Sequence, residues 1–347
     1  MSRENDDLLR QINKEVGGKD CKIVKMGNDR EDIKAMSTGS IAIDKAIGIG
    51  GMPCGRIVEI YGPEACGKTT ICLGMIAEAQ RNGKKCAFLD MEHALTPSLA
   101  IGCGVNMEEL LFAQPDYGEQ CLAVAEKLVQ SGKVQLLVID SVAAMTPKAE
   151  LDGEMDDQQM GAQARMMGKG IRKLVAAINQ THCIVIFVNQ LREKIGVMYG
   201  NPEVTPGGKA LKFAASLRIE ARKKVAITKG QSAVGNVVNV KIVKNKVDIP
   251  YRKVTVDLYF GKGIDNTKDI IDIGIEYSVI AKSGSHLSYG PLKCNGKDKF
   301  LEEMEEAGLF PEIDKKIRAI MDKEPTEPVV DIDEDEDEDS GFDDDQS

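Results

Sequence analysis

"GPEACGKT", Gly62 to Thr69, fits the pattern G-x-x-x-x-G-K-[ST] and lies between two unlike segments. Ahead of it, Arg56 to Tyr61 is a largely apolar run of strand length. Behind it, Thr69 to Gln80 reads as a helix. A strand that turns sharply into a helix leaves loop amides and the first helical turn facing outward, a seat for phosphate oxygens. Glycines at both ends of the loop permit the tight wrap that a side chain would block. Gly62, Pro63, Glu64, Ala65, Cys66, Gly67, Lys68, Thr69 and Thr70 are therefore candidate nucleotide contacts. In this pattern the lysine, Lys68, reaches the β- and γ-phosphates and the Thr69 hydroxyl ligates Mg²⁺.

Working outward, strands and helices alternate. Strands are expected at Cys86–Asp90, Val134–Asp140 and Cys183–Val188, with helices at Glu119–Gln130 and Gln158–Asn179 between them. Such alternation predicts an α/β fold: a P-loop core with right-handed crossovers and a mainly parallel, twisted sheet. Strands at Ala215–Ala221, Val237–Val243 and Val254–Tyr259 follow one another across turn signals, so that part is expected to be antiparallel. Four regions are predicted: a short N-terminal helix and linker (1–33), the core (34–265), a small α/β appendage (266–323) and an acidic tail (324–347). The appendage is expected to hold helices near Lys297–Ala307 and Glu312–Met321.

In an open α/β sheet, ligands sit beyond the carboxyl ends of the strands. Those ends read Leu89-Asp90-Met91-Glu92, Ile139-Asp140-Ser141 and Asn189-Gln190. Asp140 closes an apolar strand and is suited to hold magnesium through its water shell. Glu92 is the candidate base for an attacking water. Gln190 is an amide and no base; it is the candidate sensor of the γ-phosphate. Asp90 reads equally as a strand-end cap, and His93 is given no role.

Gln190 also opens "NQLREKIGVMYGNPEVTPGG", 189–208, where Arg192 and Lys194 stand beside Ile195, Val197, Met198 and Tyr199. Gly200, Pro202, Pro206, Gly207 and Gly208 argue against a regular element there. If Gln190 moves with the γ-phosphate, the order of this segment depends on ATP.

The net charge of −10 misleads. From Glu324 onward there are 13 acidic and no basic residues; without them, 45 basic side chains face 42 acidic ones. The body is slightly basic and the tail is expected to be disordered, either a solubility device or a decoy competing with a polyanion. The nine cysteines form no C-x-x-C pair, which suggests reduced thiols and a cytoplasmic setting. The polar start is unlike a signal peptide and no apolar run spans a membrane, so no membrane partner is expected. Leu8, Leu9, Ile12 and Val16 give an amphipathic helix that either folds back on its own chain or docks on a neighbouring subunit.

Several segments together, among them "STGSIAIDKAIGIGGMPCGRIVEIYGPEACGKTT", "FLDMEHAL", "VIDSVAAMTPKAE", "MGAQARMMGKGIRKL", "NQLREKIGVMYGNPE", "GGKALKF" and "VKNK", resemble the bacterial-type RecA recombinase family, collinearly over roughly residues 1 to 323. The resemblance implies a DNA-dependent ATPase with ATP and Mg²⁺ as cofactors. It implies helical filaments on single-stranded DNA, capture of duplex DNA, and strand exchange in recombination and repair. It implies Glu92 as catalytic carboxylate, with Lys68, and Gln190 as γ-phosphate relay. It also implies DNA loops at Asp152–Gly161, including Met160, and at Gln190–Thr205. Arg165, Arg172, Gly207 and Gly208 would lie on the DNA backbone. Lys244 and Lys246 would reach across a subunit interface to a neighbour's ATP, the N-terminal helix would pack on the adjacent protomer with Phe213 at that interface, and Lys297 would help capture duplex. Asp140 and Ser141 join the nucleotide contacts. Co-protease action on a LexA-type repressor, and loader or inhibitor proteins as partners, are further expectations of the same resemblance.

On that basis Arg192, Lys194 and amides near Gly207-Gly208 would bind phosphates, while Ile195, Val197, Met198 and Tyr199 lean on bases. Arg165, Lys169 and Arg172 form one stripe of a helix, a solvated face or a DNA contact. Thr96 and Leu99 depart from the family's usual Asp and Tyr, which leaves nucleotide selectivity open. Cys66, in a loop where a small or hydroxyl residue is usual, is expected to be an activated thiol near a helix N-terminus. Rival readings are a hexameric helicase of the same fold and an ATP-switched DNA-binding scaffold.

Overall fold

The computed structural model describes residues 11, 12, 14, 33–154, 161–193 and 203–321. Two compact units meet in sequence at Lys34–Ala35. Within the first, residues 11, 12 and 14 are helical. The remainder of the predicted N-terminal helix and the tail from 324 onward lie outside the described residues.

The second unit is built on a nine-stranded sheet. Its strands are β1 (Ile57–Gly62), β2 (Cys86–Asp90), β3 (Leu111–Ala113), β4 (Leu136–Asp140), β5 (Ile184–Gln190), β6 (Leu217–Lys229), β7 (Ser232–Asn245), β8 (Lys253–Tyr259) and β9 (Gly263–Asp265). The spatial order is β9-β8-β7-β6-β1-β5-β4-β2-β3. From β6 through β3 all neighbours are parallel; from β6 to β9 they are antiparallel. The expected antiparallel part is present, but its first strand plays two roles. Leu217 pairs in parallel with Val58 on one side and antiparallel with Asn245 on the other. Two elements exceed the sequence expectation. β6 and β7 form a long hairpin whose β6 arm is largely solvent-facing from Lys223 to Lys229, and β3 extends the far edge with exposed Leu111 and Phe112.

The helices of the core are α1 (Ile41–Ile47), α2 (Lys68–Arg81), α3 (Pro97–Gly102), α4 (Gly118–Gln130), α5 (Lys148–Asp152), α6 (Ala162–Thr181) and α7 (Lys209–Ala214). Strand parity divides the core into two layers, because successive side chains point to opposite faces. Val58, Ile60, Phe88, Val138 and Ile186 pack with α1 and α2. Ile57, Ala87, Leu137, Val185 and Phe187 pack with α4 and α6. Glu59 and Asn189 share the parity of the second set, two polar side chains inside an apolar layer.

The appendage adds α8 (Thr267–Glu276), a three-stranded antiparallel sheet of β10 (Ala281–Ser283), β11 (His286–Tyr289) and β12 (Leu292–Asn295), then α9 (Lys297–Glu306) and α10 (Phe310–Met321). Its Phe300, Met304, Ile313 and Ile317 are continuous with the α1–α2 layer of the core. No helix among the described residues is long and apolar enough to cross a membrane.

Candidate nucleotide site and the segment that leaves it

The phosphate loop occupies the turn from β1 to α2. Gly67 caps α2 at φ 95°, a left-handed conformation that favours glycine. A Cβ on Gly62 would stand 2.0 Å from the Ala221 carbonyl oxygen, so that position tolerates no side chain. Lys68 is buried and its Nζ donates to the carbonyls of Gly62 (3.0 Å) and Pro63 (2.6 Å). Glu64 and Ala65 are exposed, Pro63, Thr69 and Thr70 half-buried.

Cys66 corrects the expectation of an activated thiol. It is buried, and that burial pushes the thiol above its ordinary value; the nearby Lys68 ammonium offsets this only in part.

Thr69 Oγ1 donates to Asp140 Oδ2 at 2.6 Å, joining α2 to the end of β4. Asp140 is buried and its carboxyl is pushed up to about 6, first by desolvation and then by the charges of Glu92 and Asp90. A hydroxyl and a carboxylate side by side, with the carboxylate short of positive charge, make a donor set suited to a hard divalent cation.

Glu92 lies just past β2 and is exposed. Its Oε1 accepts a short hydrogen bond from the Ser141 hydroxyl and another from Gln190 Nε2 at 2.8 Å. The three strand ends thus meet at one carboxylate oxygen. Asp90 is a cap: it accepts from the amides of Ala94 (3.4 Å) and Leu95 (3.1 Å). Gln114, which the sequence reading missed, adds a third bond at 3.1 Å.

The segment after Gln190 begins as a ladder. Arg192–Glu193 pairs antiparallel with Glu203–Val204, Arg192 opposite Val204. The glycines and prolines of the segment thus leave room for a two-residue ribbon at its base. Arg192 is exposed; Lys194, Ile195, Val197, Met198 and Tyr199 lie outside the described residues, as does Met160. The returning arm is anchored by the Arg222 guanidinium, which donates to Glu203 Oε1 at 3.1 Å. Gly207 and Gly208, at φ 91° and 75°, tuck under α6: a Cβ on them would come within 2.7 Å of Val142 Cγ1 and 2.8 Å of Ala164 Cβ. Arg165, Lys169 and Arg172 are exposed along α6. Arg165 and Lys169 border a cavity of about 480 Å³ whose opposite wall carries Glu119 and Glu126.

Lys244 ends near the last residue of β7 and Lys246 lies just beyond it. Both reach the Phe213 carbonyl at 3.2 Å, and Lys244 also reaches that of Lys212 at 2.7 Å. Desolvation, together with the charges of Lys246 and Arg218, lowers the Lys244 ammonium to about 8. Phe213 is 67% exposed. Lys297 pairs with Asp272 of the appendage at 2.7 Å.

A strand–loop–helix phosphate seat, a carboxylate by the first helical threonine and a polar trio at adjacent strand ends define a P-loop NTPase. Comparison with known proteins narrows the class: the family model of the RecA N-terminal domain matches residues 3–265, and the chain belongs to the RecA family. It is 52% identical over 287 residues to Protein RecA of Cereibacter sphaeroides, covering 82% of this chain and 83% of that one. It is 50% identical over 319 residues to Protein RecA of Oceanobacillus iheyensis and 48% identical over 319 residues to that of Clostridium acetobutylicum, each covering 90% of both chains.

Proposed function

We propose that this RecA-family chain is an ATP-dependent DNA recombinase that assembles into filaments on single-stranded DNA, pairs it with homologous duplex and exchanges strands. The observation that carries the mechanism is the convergence of Gln190 and Ser141 on one oxygen of Glu92, beside the phosphate loop. Lys68 leaves the carbonyls of Gly62 and Pro63 for the β- and γ-phosphates. The Thr69 hydroxyl and Asp140, hydrogen-bonded to one another at 2.6 Å, would hold Mg²⁺. Magnesium, when bound, neutralises charge on the phosphate oxygens. Glu92 orients an attacking water and takes its proton, its second oxygen left for that task while Oε1 is held. Gln190 trades its bond to Glu92 for the γ-phosphate, and the segment that it opens changes its grip on DNA.

Arg192, the glycine pair at 207–208, and Arg165 and Arg172 on α6 suit sequence-independent contact with phosphates. Lys244 and Lys246 would serve the nucleotide of a neighbouring subunit. We further propose the division 1–33, 34–265, 266–323 and 324–347, with the appendage handling duplex DNA and the tail competing for basic surface. Cleavage assistance to a LexA-type repressor and a cytoplasmic location belong to the same reading.

Phosphate release measured with and without single-stranded DNA, together with three-strand exchange, tests the reading. DNA-stimulated turnover and exchange are expected. Turnover indifferent to DNA would leave a nucleotide-switched scaffold, and closed rings by electron microscopy would leave a helicase.

A further inference from the structure

We propose that Asn189 is a positioning residue that ties the outgoing and returning ends of the 190–205 segment together, so that the state of Gln190 is transmitted to Pro206. The inference rests on the reading of Gln190 given above and concerns how its movement reaches the far arm.

β1 reads Ile-Val-Glu-Ile-Tyr-Gly, an apolar central strand broken by one carboxylate, Glu59, that is 1% exposed. Burying a charge in such a place is costly unless it is paired and hydrogen-bonded. The partners come from both flanking strands. Arg218 stands directly opposite Glu59 on β6 and its Nε donates to Glu59 Oε2 at 2.6 Å. Its guanidinium lies 4.5 Å from the Tyr61 ring centroid. Asn189 stands opposite Tyr61 on β5, fully buried, and its Nδ2 donates to Glu59 Oε1 at 3.0 Å.

That same Nδ2 donates to the carbonyl of Pro206 at 3.0 Å. Asn189 Oδ1 accepts from the backbone amide of Gln190, also at 3.0 Å. One side-chain amide therefore bonds the backbone that carries the sensor, a buried ion pair in the central sheet, and the last residue before the glycine pair under α6. Rotation of the backbone at Gln190 must lengthen one of these bonds or pull Pro206 with it. A residue that merely filled this space would need no donor toward Pro206. Nor is a mobile partner needed: the Glu59–Arg218 pair fixes the amide plane, so displacement at one end is passed to the other.

Three variants of the full chain separate positioning from structure: Asn189→Ala, Asn189→Asp, and Asn189→Asp with Glu59→Gln. The last keeps the cluster's charge, and the new glutamine amide donates to the aspartate. A carboxylate at 189 still cannot donate to the Pro206 carbonyl. For each, melting temperature, affinity for a fluorescent ATP analogue, and affinity for a labelled oligothymidine with ADP or with a slowly hydrolysed analogue are measured. Asn189→Ala is expected to keep nucleotide affinity within about twofold and to cut the analogue-over-ADP preference for oligothymidine by about tenfold. The double variant is expected to regain melting temperature over Asn189→Asp without regaining that preference. Recovery of both together, or an unchanged preference in Asn189→Ala, would show a purely structural residue and overturn the proposal. Absence of any preference in the unmodified chain would sink the reading of Gln190 itself, and this inference with it.

Discussion

Asp44 on α1 and Arg318 on α10 form an ion pair of 2.6 Å across 274 residues of sequence. Asp44 is fully buried and also accepts from the Ser37 hydroxyl at 2.7 Å and the Thr38 amide at 2.8 Å. Burial pushes its carboxyl upward and Arg318 offsets this in part. The pair holds the last helix of the appendage on the core. Arg318→Ala leaves the buried carboxylate without its counter-charge and is expected to destabilise the protein by about 3–5 kcal/mol. Denaturant unfolding measures it, and a loss under 1 kcal/mol would mean that the appendage is held by apolar packing alone.

Asp140 gives a pH dependence whose sign is fixed. Its carboxyl titrates near 6 in the folded chain, above the ordinary value of 3.8. Its contribution to stability is fully present below about pH 4 and is lost as pH rises through 6, a cost of up to about 3 kcal/mol at neutral pH. Asp140→Asn is therefore expected to melt higher than the parent at pH 7.5 and equally at pH 4, without nucleotide. If Asp140 holds the cation as proposed, magnesium-dependent nucleotide affinity should fall as pH drops below 6, since the cation needs the ionised form. A flat titration profile between pH 5 and 7 would contradict the assignment.

Glu92→Gln keeps an acceptor for Ser141 and Gln190 but removes the carboxylate proposed as the base. Turnover is expected to fall by about 10²- to 10⁴-fold with nucleotide affinity retained. Single-turnover phosphate release is the measurement, and a loss of less than tenfold would move the base elsewhere.

The fold was legible because strand parity and the phosphate loop repeat one message at every level. Cys86–Asp90 needed only its apolar run, and Lys68–Arg81 only the glycine before it and the apolar spacing after. β3 was missed because three residues at an exposed edge carry no burial pattern. The site's acidic and amide members were legible from strand ends, since topology alone places those ends together. Glu59, Asn189 and Arg218 had one available signal, a charged residue in the middle of a central strand, which demands a buried partner without saying where it lies. The Cys66 expectation went astray because proximity to a helix N-terminus was weighed and desolvation was not.

That correction is itself testable. With the thiol raised rather than lowered, alkylation of Cys66 at pH 7.5 is expected to be slower than that of a free cysteine and to accelerate as pH is raised. Mass-spectrometric labelling rates check this; labelling faster than free cysteine would restore the activated thiol.

Arg192→Ala is expected to weaken oligonucleotide binding alike for all sequences and to reduce the salt slope by about one. Titration of two unrelated oligonucleotides over a range of salt measures both quantities, and a sequence-selective loss would count against backbone contact.

Glu92 and Gln190 meet across 98 residues of chain, and Thr69 and Asp140 across 71. Neither pair can exist until non-neighbouring strands have found their places in the sheet. Chains dominated by such distant pairings fold slowly, and partly folded forms expose unpaired edges during synthesis. The contacts at these strand ends are consequently expected to close late in folding, after the sheet that carries them.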